Sequence, residues 1–475
     1  MDSIAIVAGV LGCPRCGGAL AAPGGARCAH MVASPEGIVD LTLEDSRTAL
    51  DDIDYDAVYD VDPERGRGYF THLRAQLGSL AERRFDTIVE LGAGTGYMSV
   101  PLLEAFGFER ALITDISPRM LAVCRAKIAT TLAPERRRRI AFAALDGNHI
   151  HARADSVDLV FGHGVLHHVF DYEPLLATIA GMLREDGVAV FVEPVLRFHQ
   201  ALLVLLGRVV EELRGGLDLG ADTTRVLAFL QHLVAGERFR GDRDFLARME
   251  DKHLFVREEL HAVACAAGFV AVDSVPAYRG ETFTWKMRGY CAELGLGSEA
   301  TGTLLERVAV AQHELAPLLE RECWSSADLH VLRCARTPGG LAPACFAWTR
   351  PDTAAELRAL APVDTRALAC WIDALRPLPD GRCELVGWIA ASVPVRHVRL
   401  AGDDGATATG QVHEARIDVL RHLGSQPRIP ALAALCSGFR LGPLTLAWRA
   451  RVTLEVHCID GAITTVEVAL PRPAS

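Results

Sequence analysis

Between about residues 85 and 336, short apolar runs alternate with helix-like segments, and this alternation constrains the chain more than any other feature. The runs fall at 87–91, 111–114, 140–145, 157–161, 188–192, 269–275 and 329–333, with helical patterns such as 119–131 and 174–183 between them. Near-continuous apolar strands separated by helices imply βαβ units and a parallel sheet covered on both faces. The expected fold class is α/β with a doubly wound, mainly parallel sheet.

Composition limits what such a chain does. Of its 475 residues 50% are hydrophobic and 23% charged, which excludes wholesale disorder. The formal charge is 49 − 60 = −11, which argues against a protein that works by coating a nucleic-acid backbone. One basic run, Arg136 to Arg139, reads as a solvated edge before a strand. Ten of the 13 cysteines stand singly among apolar residues, as free thiols do in a reducing cytoplasm. No stretch reaches the roughly 20 apolar residues of a spanning helix. The apolar run 4–11 follows Asp2 with no Lys or Arg before it, so it reads as a strand leading into a metal knuckle rather than a signal peptide.

The strongest constellation is Val89-Glu90-Leu91-Gly92-Ala93-Gly94-Thr95-Gly96-Tyr97. A strand runs straight into alternate glycines, and a helix is expected from Met98. Such glycines admit positive φ and let a ligand approach the backbone at the strand's carboxyl end. A dinucleotide fingerprint needs its third glycine one position later, where Tyr97 stands, and Glu90 would repel a pyrophosphate. A carboxylate there suits the ammonium of an amino-acid-bearing nucleoside better.

The loop resembles the first motif of the class I S-adenosylmethionine-dependent methyltransferases, and three further stretches resemble that family's motifs in order. The resemblance spans about residues 55–340 and implies a Rossmann-like sheet with S-adenosyl-L-methionine as methyl donor. It implies that Glu90, Gly92, Gly94 and Gly96 form the first part of the cofactor site. Asp115, in Ile113-Thr114-Asp115, would accept from the ribose hydroxyls, and Asp146 with Gly147 would meet the adenine amino group. The stretch from Asp158 to His168 resembles the fourth-strand motif of small-molecule methyltransferases. Side chains just past that strand face the methyl group in the family, which makes His163 a candidate general base; an unperturbed imidazole titrates near 6.5. His167 and His168 open the next turn and are catalytic candidates too, with packing as their competing role.

Two segments interrupt the alternation, about 197–256 and 282–326. The first is apolar at Leu202, Leu205, Val209 and Leu213, a helical spacing. In the family such insertions roof the acceptor pocket, so Trp285, Tyr290, His253 and Trp324 are candidate pocket residues. Near the N-terminus, Cys13-Pro14-Arg15-Cys16-Gly17-Gly18 has the form of a zinc knuckle, followed by Cys28 and His30. The segment resembles the zinc ribbon of some rRNA guanine methyltransferases, with one residue between Cys28 and His30 where those ribbons have two or three. Two readings stay open: structural zinc held by Cys13, Cys16, Cys28 and His30, or a ribbon that binds nothing. After a Pro-rich linker, alternating runs such as 451–456 predict a small antiparallel β-sandwich. The sequences around Trp388, Asp418 and Phe439 loosely resemble modules appended to bacterial glycosyltransferases.

The expected organisation is a ribbon-like segment over 1–45, a methyltransferase domain over 46–340, a linker over 341–369 and a β-rich module over 370–475. The expected function is methyl transfer in the cytoplasm to a small-molecule or glycan-linked acceptor. An rRNA base methyltransferase and a non-catalytic adaptor that binds S-adenosylmethionine are the alternatives.

Overall fold

The computed structural model describes residues 3–20, 32–33, 37–43, 46, 56, 63–214, 216–238, 243–277, 283–321, 328–338, 340–341, 367–392, 395–414, 416–423, 433–434, 437–446, 451–458 and 463–471. They form two compact units. The first comprises Met1–Phe198, Arg243–Gly280 and Ser325–Trp348, and the second His199–Asp242, Glu281–Trp324 and Thr349–Ser475.

The first unit is built on a nine-stranded sheet. Its strands are β1 (Val32–Ala33), β2 (Ile38–Asp40), β3 (Phe85–Leu91), β4 (Phe108–Asp115), β5 (Ile140–Ala144), β6 (Val157–His163), β7 (Leu183–Pro194), β8 (Ala271–Pro276) and β9 (Leu329–Ala335). Their order is β1-β2-β5-β4-β3-β6-β7-β9-β8. From β2 to β7 neighbouring strands are parallel, while β9 runs antiparallel to both β7 and β8. The order reverses at β3, and the crevice at such a switch point is where doubly wound sheets bind ligands.

Successive side chains of β3 enter opposite cores. Val89 and Leu91 pack with α1 (Ser3–Val10) and its neighbours, and Ile88 packs with the layer holding α2 (Pro63–Gln76), α3 (Ser99–Ala105) and α4 (Pro118–Thr131). The first layer also takes α5 (Tyr172–Met182) and, after α6 (Leu196–Arg214) and α7 (Thr223–Arg238), α8 (Arg257–Ala266).

Two expectations meet a different structure here. The run 4–11 is helical over Ser3–Val10: eight apolar residues carry no period that separates helix from strand, and burial of Ile6, Val7 and Val10 in the sheet's core decides for a helix. The N-terminal segment also joins the main sheet, since Ile38, Val39 and Asp40 pair with Phe142, Ala143 and Ala144. Arg136 is no solvated edge. Its guanidinium caps the end of α3 by donating to the carbonyls of Leu103 and of Phe106 (2.7 Å), and it lies 4.8 Å over the Phe108 ring.

The second unit contains α6 (Leu196–Arg214), which enters from the first, with α7 (Thr223–Arg238), α9 (Phe283–Glu293) and α10 (Ser298–Arg321). It also contains seven antiparallel strands, from β10 (Leu368–Pro377) and β11 (Cys383–Ala391) to β16 (Ile463–Ala469). Alternate residues such as Leu385, Val398, Phe439, Leu454 and Val456 fill one core. The helical insertions thus group with the all-β part, except that residues 243–256 stay with the first unit. No described helix is long and apolar enough to cross a membrane.

Candidate active site

The carboxyl ends of β3, β4, β5 and β6 surround a cavity of about 540 Å³. The loop after β3 supplies one wall. Gly92, Gly94 and Gly96 have φ of +66°, +52° and +94°, conformations that side-chain-bearing residues rarely adopt. A β-carbon on Gly92 would strike Val165, whereas one on Gly94 would meet nothing within 4 Å. The loop is tied to β4 at two points. Ala93 N–H donates to the Thr114 carbonyl (2.9 Å), and Gly94 N–H donates to Asp115 Oδ2 (2.7 Å). The other Asp115 oxygen accepts from Ser117 N–H (2.9 Å), which fixes the carboxylate at the cavity wall.

Asp146 and Gly147 line the cavity from the end of β5. Asp146 Oδ1 accepts from the backbone and side-chain nitrogens of Asn148 (2.9 and 2.8 Å), and Oδ2 accepts from the Ser46 hydroxyl (3.0 Å). Gly147 leaves no room for a side chain, because a β-carbon there would lie 2.8 Å from Val169 Cγ2.

Glu90 is placed differently from the expected ammonium contact. It is 1% exposed and does not line the cavity; it lies behind the loop, where Ser99 hydrogen-bonds it. Burial pushes its carboxyl up to about 8, against the hydrogen bond from Ser99 and with help from the nearby Asp115 charge. Its Oε2 has no hydrogen-bond partner among the described residues.

His163 ends β6 and lines the cavity. Its Nε2 is 3.3 Å from the Tyr69 hydroxyl, and its ring meets those of Tyr69 and Tyr97 edge-on at 5.4 and 6.3 Å. Burial lowers its pKa to about 4, so at neutral pH it is an uncharged and weak base rather than one matched to pH 7.

His167 and His168 are held by hydrogen bonds in the turn beside the cavity. His167 Nδ1 bonds Glu193 Oε2 (2.8 Å) and its Nε2 faces Asp251 Oδ1 at 3.5 Å. Burial opposes protonation of this ring, but the hydrogen bonds and charges of Asp251 and Glu193 prevail and raise its pKa to about 9. His168 reaches the cavity, donates from Nδ1 to the Glu250 carbonyl (3.1 Å), and is held low by burial and by the His167 cation. These two rings and Asp251 are the described donors close enough together for a metal, yet both Nδ1 atoms are already engaged in hydrogen bonds.

Of the residues expected from the insertions, His253 packs instead of lining the cavity: Nε2 donates to the Val169 carbonyl (3.0 Å) and its ring meets Tyr172. Tyr290 packs on Phe229 within the second unit, Trp285 is exposed there, and Trp324 lies outside the described residues. The zinc ligands are only partly placed. Cys13 and Cys16 sit on a tight turn, closed by Gly17 N–H donating to the Cys13 carbonyl (2.8 Å), with Cys13 buried and Cys16 exposed. Cys28 and His30 lie outside the described residues, and no third described donor joins the two thiols.

Sequence reasoning missed Arg65, Glu250 and Lys252, which line the cavity, and Glu193, which organises the turn beside it. Glu193 alone had a signal: an acid that closes the apolar run 188–192.

A family model described as a methyltransferase domain matches residues 89–189, the stretch that contains the loop, Asp115, Asp146 and His163. That stretch of the first unit's Rossmann-like sheet is similar to a methyltransferase domain. Solved structures are similar to part of the chain. Haemonchus contortus phosphoethanolamine N-methyltransferase 2 is 16% identical over 57% of this chain and 52% of its own, with a TM-score of 0.33. YcgJ of Bacillus subtilis is 13% identical over 56% and 99%, with a TM-score of 0.33. A chain of the complex between the Haloferax volcanii Trm112 methyltransferase activator and a methyltransferase is 16% identical over 61% and 98%, with a TM-score of 0.36. The match thus spans about half the length of the Haemonchus enzyme. No curated protein matches the sequence of the chain.

Proposed function

We propose that the chain transfers a methyl group from S-adenosylmethionine to a small-molecule or glycan-linked acceptor. The observation that carries this reading is the Gly94–Asp115 contact on the cavity wall, which holds an open glycine backbone beside an oriented carboxylate. The residues present fit the cofactor: Asp115 offers a carboxylate for vicinal hydroxyls, Asp146 one for an amino group, and the glycine loop leaves room where a β-carbon would intrude. The cavity volume is that of a drug-sized site. Glu90, behind the loop, is assigned no contact with the ligand.

When bound, S-adenosylmethionine supplies a sulfonium-activated methyl group open to in-line displacement. The chain's task is then to align the acceptor and exclude water, since orientation supplies most of the acceleration. His163, neutral at pH 7 and facing the cavity, accepts the acceptor's proton. Its weak basicity restricts that role to acceptors whose proton becomes strongly acidic as the new bond forms, as a hydroxyl's does. Tyr69 keeps the imidazole oriented through its hydroxyl.

The test uses radiolabelled S-adenosylmethionine with a panel of hydroxyl, amine and glycan-linked acceptors. Transfer by the wild-type protein is expected, with turnover lost and cofactor affinity retained in His163→Gln. Normal turnover in that variant would refute the base assignment.

A further inference from the structure

Glu193 is buried at the end of β7, 1% exposed, where an unpaired carboxylate would be costly. Its oxygens are used on one turn. Oε1 accepts from Val165 N–H (3.0 Å) and Leu166 N–H (2.8 Å), and Oε2 accepts from His167 N–H (3.3 Å) and from the His167 ring (2.8 Å). Three successive amides after β6 therefore converge on one carboxylate.

His167 passes the constraint on. Its carbonyl accepts from Lys252 N–H (2.8 Å) and His253 N–H (3.2 Å), and its Nε2 faces Asp251. The neighbouring His168 ring donates to the Glu250 carbonyl. Segment 250–253 is thereby fastened to the turn, and it brings Glu250 and Lys252 to the cavity lining.

We propose that Glu193 is a positioning residue of this site: it sets the turn after β6 and, through His167, the 250–253 wall of the cavity. The functional weight of that wall rests on reading the cavity as the methyl-transfer site. The charged and titratable groups facing His167 are Glu193 from β7, Asp251 from the wall and His168 from its own turn, with His163 and Glu250 further out. The imidazolium between two carboxylates is the arrangement the hydrogen bonds favour over a metal at the same side chains.

The experiment follows the full-length protein by histidine NMR and amide hydrogen exchange. The His167 resonance, assigned by its absence in His167→Gln, is expected to titrate near 9 in the wild type. In Glu193→Gln it is expected to fall toward the ordinary 6.5 or below. In Glu193→Ala, exchange of peptides covering 164–170 and 249–254 is expected to accelerate together by at least about tenfold, the scale of a lost charge-assisted hydrogen bond. Should the alanine variant fail to fold, the glutamine variant with Asp251→Asn decides by the same two readouts. An unchanged His167 titration in Glu193→Gln, or unchanged exchange in 249–254, overturns the proposal. So does a stoichiometric divalent metal on the wild type that Asp251→Asn removes. Failure of the wild type to bind S-adenosylhomocysteine would refute the functional reading and leave this clamp standing.

Discussion

A β-carbon on Gly92 would lie 2.6 Å from Val165 Cγ2, so the glycine loop and the turn after β6 touch with no space for a methyl group. Gly94 has a similar φ but open space. Gly92→Ala therefore carries both left-handed strain and overpacking, together about 2–4 kcal/mol, whereas Gly94→Ala carries about 1 kcal/mol of strain alone. Urea unfolding of the two variants checks the difference; equal destabilisation would refute the steric account.

The neutral state of His163 links its environment to acid stability. Its folded pKa of about 4 lies below the unfolded value of about 6.5, so the unfolded chain binds the extra proton between these limits. The resulting stability is full above 6.5 and lost as pH falls toward 4. His163→Gln is expected to flatten the stability profile across that window, measured by denaturant midpoints. A profile parallel to the wild type would mean the ring is solvated.

Glu90 acts in the opposite sense. Its folded pKa of about 8 stands above the ordinary 4.5, so its contribution is full below 4.5 and lost as pH rises through 8. Glu90→Gln removes this dependence and is expected to gain stability over the wild type as pH rises from 5 to 8.5. The same difference at both pH values would contradict a buried, protonated carboxyl.

Arg136 and Arg138 separate a cap from a surface charge. Arg136 bonds two carbonyls at the end of α3 and covers Phe108, while Arg138 is exposed. Arg136→Ala is expected to cost about 1–2 kcal/mol and Arg138→Ala under about 0.5 kcal/mol. Thermal unfolding distinguishes the two.

What was legible in the sequence follows the physics of burial. Strands β3 to β7 announce themselves because parallel strands covered on both faces must be continuously apolar, and the glycine loop because only glycine fits its φ values. The same uniform apolarity hid the helical state of 3–10, whose partner is a sheet core assembled from distant strands. Glu90 lies in a recognisable motif, yet which way it points depends on Ser99 across the loop. His167 and Glu193 are 26 residues apart and meet only because β6 and β7 are neighbours. Lys252 reaches the cavity through the backbone of His167, a contact with no local signature.

Binding of S-adenosylhomocysteine, the product of the proposed reaction, tests the account most directly. Titration calorimetry of the wild type is expected to show one ligand per chain. Asp115→Ala should weaken binding by at least about tenfold, because a carboxylate accepting from ligand hydroxyls is a charge-assisted partner. No binding by the wild type, or unchanged binding in Asp115→Ala, would contradict the claim that this cavity holds the methyl donor.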